Sequence, residues 1–109
     1  MATTYKVLGQ VAPTATTDTD LYTVPAATTA VTSTVNICNL DSLSGSFRLA
    51  VRPGGATLAQ EHYLAYDTVI AANDSIALTL GITLAATDVF TVYASTGNFS
   101  FNLFGSEIT

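Results

Sequence analysis

The chain has 109 residues, of which 49% are apolar and 10% charged, with eight carboxylates against three cations and a net charge of −5. That is one domain's worth of chain, spanning residues 1–109 and able to bury roughly 60–70% of the surface its unfolded form exposes. Three cations are too few to neutralise a phosphate backbone, which argues against nucleic acid as a partner, and no stretch approaches membrane-spanning length or has the basic end and apolar run of an export signal.

The first expected strand runs from Tyr5 to Val11 and the second from Asp20 to Val24, separated by a Pro- and Thr-rich loop. Asp18-Thr19-Asp20 offers two carboxylates but no third ligand and no glycine-turned loop, so it reads as a solvated loop and no metal is expected. A third strand, Val31 to Asn39, carries the only cysteine, Cys38, between Ile37 and Asn39. One cysteine cannot make an internal disulfide framework and fits a reducing compartment. In so apolar a run it is expected to act as a small buried hydrophobe.

The fourth strand, Ser46 to Arg52, alternates cleanly. Phe47, Leu49 and Val51 point inward, while Arg48, Ala50 and Arg52 share the opposite face. Two of the three cations therefore occupy one patch. They pair either with Asp67, Asp88 or Glu61 within the chain, or with an acidic surface on another subunit. After Pro53-Gly54-Gly55, a fifth strand from His62 to Val69 holds Tyr63 and Tyr66, which strict alternation places on opposite faces. One of them is then outside the core and is a candidate interface anchor. His62 has no Ser or Cys context resembling an activated nucleophile and is taken as an edge or interface residue.

The last forty residues contain an internal echo. Ala71-Ala72-Asn73-Asp74 leads into the sixth strand, Ser75 to Leu80, and Ala85-Ala86-Thr87-Asp88 leads into the seventh, Asp88 to Ala94. The eighth, Phe99 to Ile108, continues the period-two pattern nearly to the C-terminus, so this end is expected to be tied into the core. Phe104 breaks that pattern and faces outward, where an aromatic side chain calls for a cover. Asp41, Asp74 and Asp88 fall at turns where an Asp side chain bonds local backbone amides. The triplets Asn73-Asp74-Ser75 and Asn98-Phe99-Ser100 match a glycosylation pattern, read here as chance in a chain without an export signal.

Eight short strands with Gly, Pro, Asn and Asp turns and no amphipathic helix predict an all-β fold. The expected architecture is an antiparallel β-sandwich, either jelly-roll or immunoglobulin-like, with the strand order left open. Thr occurs 19 times and Ala 16 times, so hydroxyls and small side chains must cover much of the surface. Such a surface is cheap to desolvate and suits permanent contacts. No pair of acids with a cleft and no activated nucleophile is evident. A non-enzymatic protein without cofactors is expected, with interface candidates Arg48, Arg52, Tyr63, Tyr66 and Phe104.

Several phrases carry a family resemblance: Leu21-Tyr22-Thr23-Val24-Pro25-Ala26, Asn36-Ile37-Cys38-Asn39, Phe47-Arg48-Leu49-Ala50-Val51-Arg52-Pro53, and Ala65-Tyr66-Asp67 through Phe104-Gly105-Ser106-Glu107. Over nearly its whole length the chain resembles small structural proteins of tailed bacteriophage particles, especially cyanophages. The resemblance implies a capsid cement (decoration) protein, made in the host cytoplasm, trimeric on the outer surface of the head, with the major capsid protein as its partner. The alternative it admits, second to this, is a tail-fibre or baseplate part, with host glycans as a candidate ligand. A small glycan-active enzyme is the third alternative.

Overall fold

The computed structural model describes residues 2–109. Nine strands follow one another: β1 (Thr3–Val11), β2 (Thr19–Thr23), β3 (Thr29–Asn39), β4 (Gly45–Arg52), β5 (Tyr63–Ile70), β6 (Ser75–Leu78), β7 (Thr83–Leu84), β8 (Val89–Ala94) and β9 (Phe99–Ile108). Two single 3-10 turns, Pro53–Gly55 and Gln60–His62, lie between β4 and β5.

All pairs are antiparallel, and they describe a long hairpin whose tip is β4–β5. Its two arms meet as β1 with β9, β2 with β8, and β3 with both β6 and β7. Rolling the hairpin up adds two further seams, β3 with β9 and β4 with β8. The result is one sheet ordered β1-β9-β3-β6, with β7 also on β3, facing a second ordered β2-β8-β4-β5. This is a jelly roll. An immunoglobulin sandwich would keep its first two strands in one sheet, whereas β1 and β2 lie in different sheets.

Alternating side chains from the two inner faces make one core. Phe47 of the second sheet meets Phe101 of the first edge to face, 6.4 Å between ring centroids, and Phe99 lies 6.3 Å beyond. Ile37, Leu49, Leu84, Phe90, Val92 and Leu103 complete a layer almost free of solvent. The one large polar group in it is Asn39. Its amide nitrogen donates to the carbonyls of Leu43, Ile70 and Ala71, and its side-chain oxygen accepts from the Asp41 amide. Fully satisfied, it ties the β3–β4 and β5–β6 connections together without the cost of an unpaired buried amide.

The sequence echo is a repeated turn. In Ile70 to Asp74 and Leu84 to Asp88 a buried apolar residue precedes the turn, and the third turn residue has positive φ: Asn73 at 56° and Thr87 at 70°. Val24 to Thr28 is a third copy, with Ala27 at 56°. The two later turns also dock alike. Thr87 and Asp88 exchange backbone hydrogen bonds with Val24, as Asn73 and Asp74 do with Asp41 and Asn39. The expected caps are present too: Asp88 accepts from the amides of Gly54 and Ala85, Asp41 from Leu43, and Asp74 from Ser75.

Three expectations are corrected. The sixth strand stops at Leu78 rather than Leu80, and a two-residue strand that the alternation did not predict, β7, follows it. A bulge at Ser33 is the reason: β6 pairs with Val35 to Cys38, and the chain then crosses Gly81 to rejoin β3 at Ala30 and Val31. Buried Thr32 bridges the gap through backbone and side-chain bonds to Ile82. Cys38 is half-buried rather than a core residue, because Ile37 and Asn39 on either side take the inward positions. His62 sits in the 3-10 turn before β5, where its Nδ1 accepts from the Ala59 amide.

Candidate interaction surfaces

The outer face of the second sheet gathers four of the five candidate residues. Arg48 lies between two tyrosine rings, its guanidinium carbon 4.1 Å from the centroid of Tyr66 and 4.0 Å from that of Tyr93. Asp67 fixes the plane of the guanidinium through Nε at 2.7 Å and Nη2 at 3.3 Å. A planar cation suits this stack as a lysine would not. The hydrogen bonds that Arg48 donates to Asp67, and the negative charge of that carboxylate, hold the arginine firmly protonated. Arg52 bonds Thr91 by Nε, the carbonyls of Gly55 and Ala56 by Nη1, and Asp20 by Nη2 at 2.9 Å. Ala50, between the two arginines, is buried beneath this layer.

Arg48 thus has Asp67, one of its expected partners. Arg52 takes Asp20, a partner the sequence did not suggest because it comes from β2, two strands away in the sheet. Asp20 is also bonded by the Thr91 hydroxyl, so the Asp18-Thr19-Asp20 loop spends one carboxylate inside the fold.

Tyr63 and Tyr66 are not on opposite faces. Two bulges in β5, at Leu64 and at Tyr66-Asp67, break the alternation, and Asp67 has φ of 52°. Both rings come to the outer face and meet edge to face with centroids 4.9 Å apart. With Gln60 they line a shallow notch of about 440 Å³. Tyr66 is 57% exposed, and its ring is held from behind by Arg48.

On the first sheet Phe104 faces outward as expected. Its neighbours cover most of it: with Tyr5, Val7 and Val31 it lines an open groove of about 500 Å³, to which Lys6, Ser33 and Ser106 also contribute. β9 is flanked at this level by bulges on both sides, Leu8 in β1 and Ser33 in β3. Gly105 is required there, since a Cβ would stand 2.2 Å from the Val31 carbonyl oxygen.

Beneath the groove, Glu107 turns toward the second sheet. Tyr22 donates to it at 2.5 Å and Lys6 at 3.3 Å. The Tyr22 hydrogen bond, followed by that from Lys6, holds the glutamate below its ordinary range, while burial first and Glu107 second push the tyrosine well up. All three cations of the chain are therefore ion-paired internally.

A third apolar surface lies at the Asn39 end of β3, where Leu40, Leu43 and Val69 expose 61%, 72% and 68% of their area. Sequence alternation could not reveal it, because Leu40 and Leu43 are loop residues outside any strand period. Among the described residues no three His, Cys, Asp or Glu side chains converge as metal ligands, and no helix is long and apolar enough to cross a membrane. No protein-family model matches the chain, and no curated protein matches it.

Proposed function

We propose that this protein is a structural component of a bacteriophage virion, a capsid cement protein that sits as a trimer on the outside of the head and clamps neighbouring shell subunits. The observation that carries this is where the large exposed apolar side chains lie. Five of the eight fall in two groups, Tyr5 and Val7 on one half of the first sheet and Leu40, Leu43 and Val69 around the opposite end of β3, while Leu64, Tyr66 and Leu80 lie elsewhere; every Lys and Arg is already paired inside the chain. A molecule with two separate apolar patches can bridge two neighbours. Repeated around a three-fold axis, modest contacts gain strength by avidity. The jelly roll also serves capsids, lectins and cupins, so the fold adds no weight of its own. The test is the copy number of this chain in purified virions relative to the major shell protein. Near parity is expected, with heads lacking it bursting at lower temperature; a handful of copies per particle, or none, would overturn the proposal.

A second reading has its own observation, the notch at Gln60, Tyr63 and Tyr66. A tyrosine ring held rigid from behind and open in front is a platform for the apolar face of a sugar. That suits a tail-fibre or baseplate part. Retention on host envelope polysaccharide, lost in Tyr66→Ala, would favour it over the head.

A further inference from the structure

The four edge strands of the sandwich are β1 and β6/β7 in one sheet, β2 and β5 in the other. Three of them carry devices that discourage a further strand. β5 has two bulges, β2 is five residues long with a bulge in the middle, and the β6/β7 edge is split into runs of four and two residues around Gly81. Interruptions of this kind are how sheet edges avoid pairing with another chain. β1 differs. Before its bulge at Leu8 it offers five regular residues, Thr3 to Val7, without proline and with one ion, Lys6, neutralised by Glu107.

The phase of the β1–β9 ladder follows from its end. Ala2 and Thr109 exchange both backbone hydrogen bonds, at 2.8 and 2.9 Å. In an antiparallel ladder bonded and non-bonded rows alternate. Thr4 with Glu107 and Lys6 with Gly105 are therefore bonded rows, while Thr3, Tyr5 and Val7 turn their N–H and C=O groups away from β9, toward the free edge. The Tyr5 side chain is 84% exposed, and Val7 is also exposed.

We propose that β1 is a self-pairing edge: two copies of this chain join antiparallel through Thr3 to Val7, about a two-fold axis at Tyr5, making one sheet continuous across both. The phase selects a second copy. Centring the axis on Tyr5 sets Tyr5 against the partner's Tyr5 and Thr3 against the partner's Val7. All three outward-facing residues then meet outward-facing residues, in three rows that exchange six hydrogen bonds. Centring on Lys6 would oppose the two ammonium groups, and an axis between residues would set outward groups against inward ones. In the Tyr5 register Lys6 faces the partner's Thr4, so no like charges are opposed. The seam does not rest on the virion assignment, and in a head it would join neighbouring trimers across two-fold positions while another surface makes the three-fold contact.

Sedimentation equilibrium of the full chain tests this. A concentration-dependent dimer is expected, and because each copy carries −5 with no interfacial ion pair, it should strengthen as salt rises. Tyr5→Pro removes an outward N–H without touching the β9 ladder, and should weaken the dimer at least tenfold with circular dichroism and Tm retained. Should that variant misfold, Tyr5→Lys, which alters only an exposed side chain, should weaken the dimer by opposing two charges. Amide exchange is the direct readout: Thr3, Tyr5 and Val7 should slow with rising concentration, while Thr4 and Lys6 are slow throughout. A chain that stays monomeric to about 1 mM, a dimer or trimer unaffected by either substitution, or no concentration dependence at those three amides would each overturn the proposal.

Discussion

The two sheets share one core but finish their outer surfaces in opposite ways. The second sheet is cross-braced by side chains, although Tyr66 and Val69 stay exposed on it. Its outer face is bound by Tyr66, Arg48, Tyr93 and Asp67 at one level and by Arg52, Thr91 and Asp20 at the next, and its edge strands are bulged. The first sheet is left open, with longer strands, an apolar groove and a plain edge at β1. A protein meant to stand alone would have reason to close both. The proposed self-pairing of β1 draws on this difference between the two sheets.

Substitutions can break or sharpen this contrast. The largest effect is expected where the sheets are not distinct, in the shared core. Phe101→Ala should cost about 3–5 kcal/mol in denaturant unfolding, and should lower one cooperative transition rather than loosen the first sheet alone. Gly105→Ala acts on the first sheet only. A methyl group forced against the Val31 carbonyl should cost about 1–3 kcal/mol, and should raise amide exchange in β1, β3 and β9 before β4 and β8. Arg48→Ala removes two ring stacks and an ion pair at the surface of the second sheet and should cost about 1–2 kcal/mol. If it costs nothing, the second sheet is no more braced than the first.

The smallest effect is one of pH. Glu107 has a lowered folded-state pKa, so its contribution is complete above the unfolded glutamate value of about 4.3 and is lost as pH falls through the lower folded value. Glu107→Gln should flatten the acid limb of a Tm-against-pH curve by lowering its neutral plateau slightly, the two proteins converging at low pH. An equally steep acid limb in the variant would assign acid sensitivity elsewhere, with Asp41 next in line because its bond from Asn98 also holds it low.

Eight of the nine strands were legible because they alternate over at least four residues. β7 was not, since two residues carry no period and its pairing depends on a bulge in β3, fifty positions earlier in the chain. The same kind of device hid the tyrosine cluster. Alternation sent Tyr63 and Tyr66 to opposite faces, and the bulge at Leu64 between them returned them to one. Asp67 marks only the second bulge, because an Asp in mid-strand tolerates the left-handed backbone that a bulge can use; nothing in the sequence marks the bulge at Leu64. Arg48 with Asp67 was accessible as a neighbouring-strand pair. Arg52 with Asp20 required the strand order, which short runs of similar composition do not encode locally.

The rolled hairpin also sets an order of events during synthesis. β9 lies between β1 and β3, so the first sheet has no centre until the last strand of the domain has emerged, although β1 was made about a hundred residues earlier. At 5–20 residues per second this leaves β1 unpaired for roughly 5–20 s. Folding that must close loops of this length is slow and passes through states with open strand edges. The β4–β5 tip can form first, and the molecule should zip from there toward its two ends. An edge that pairs with its own kind is most exposed during that interval, so crowded translation of this chain would favour association before the fold is complete.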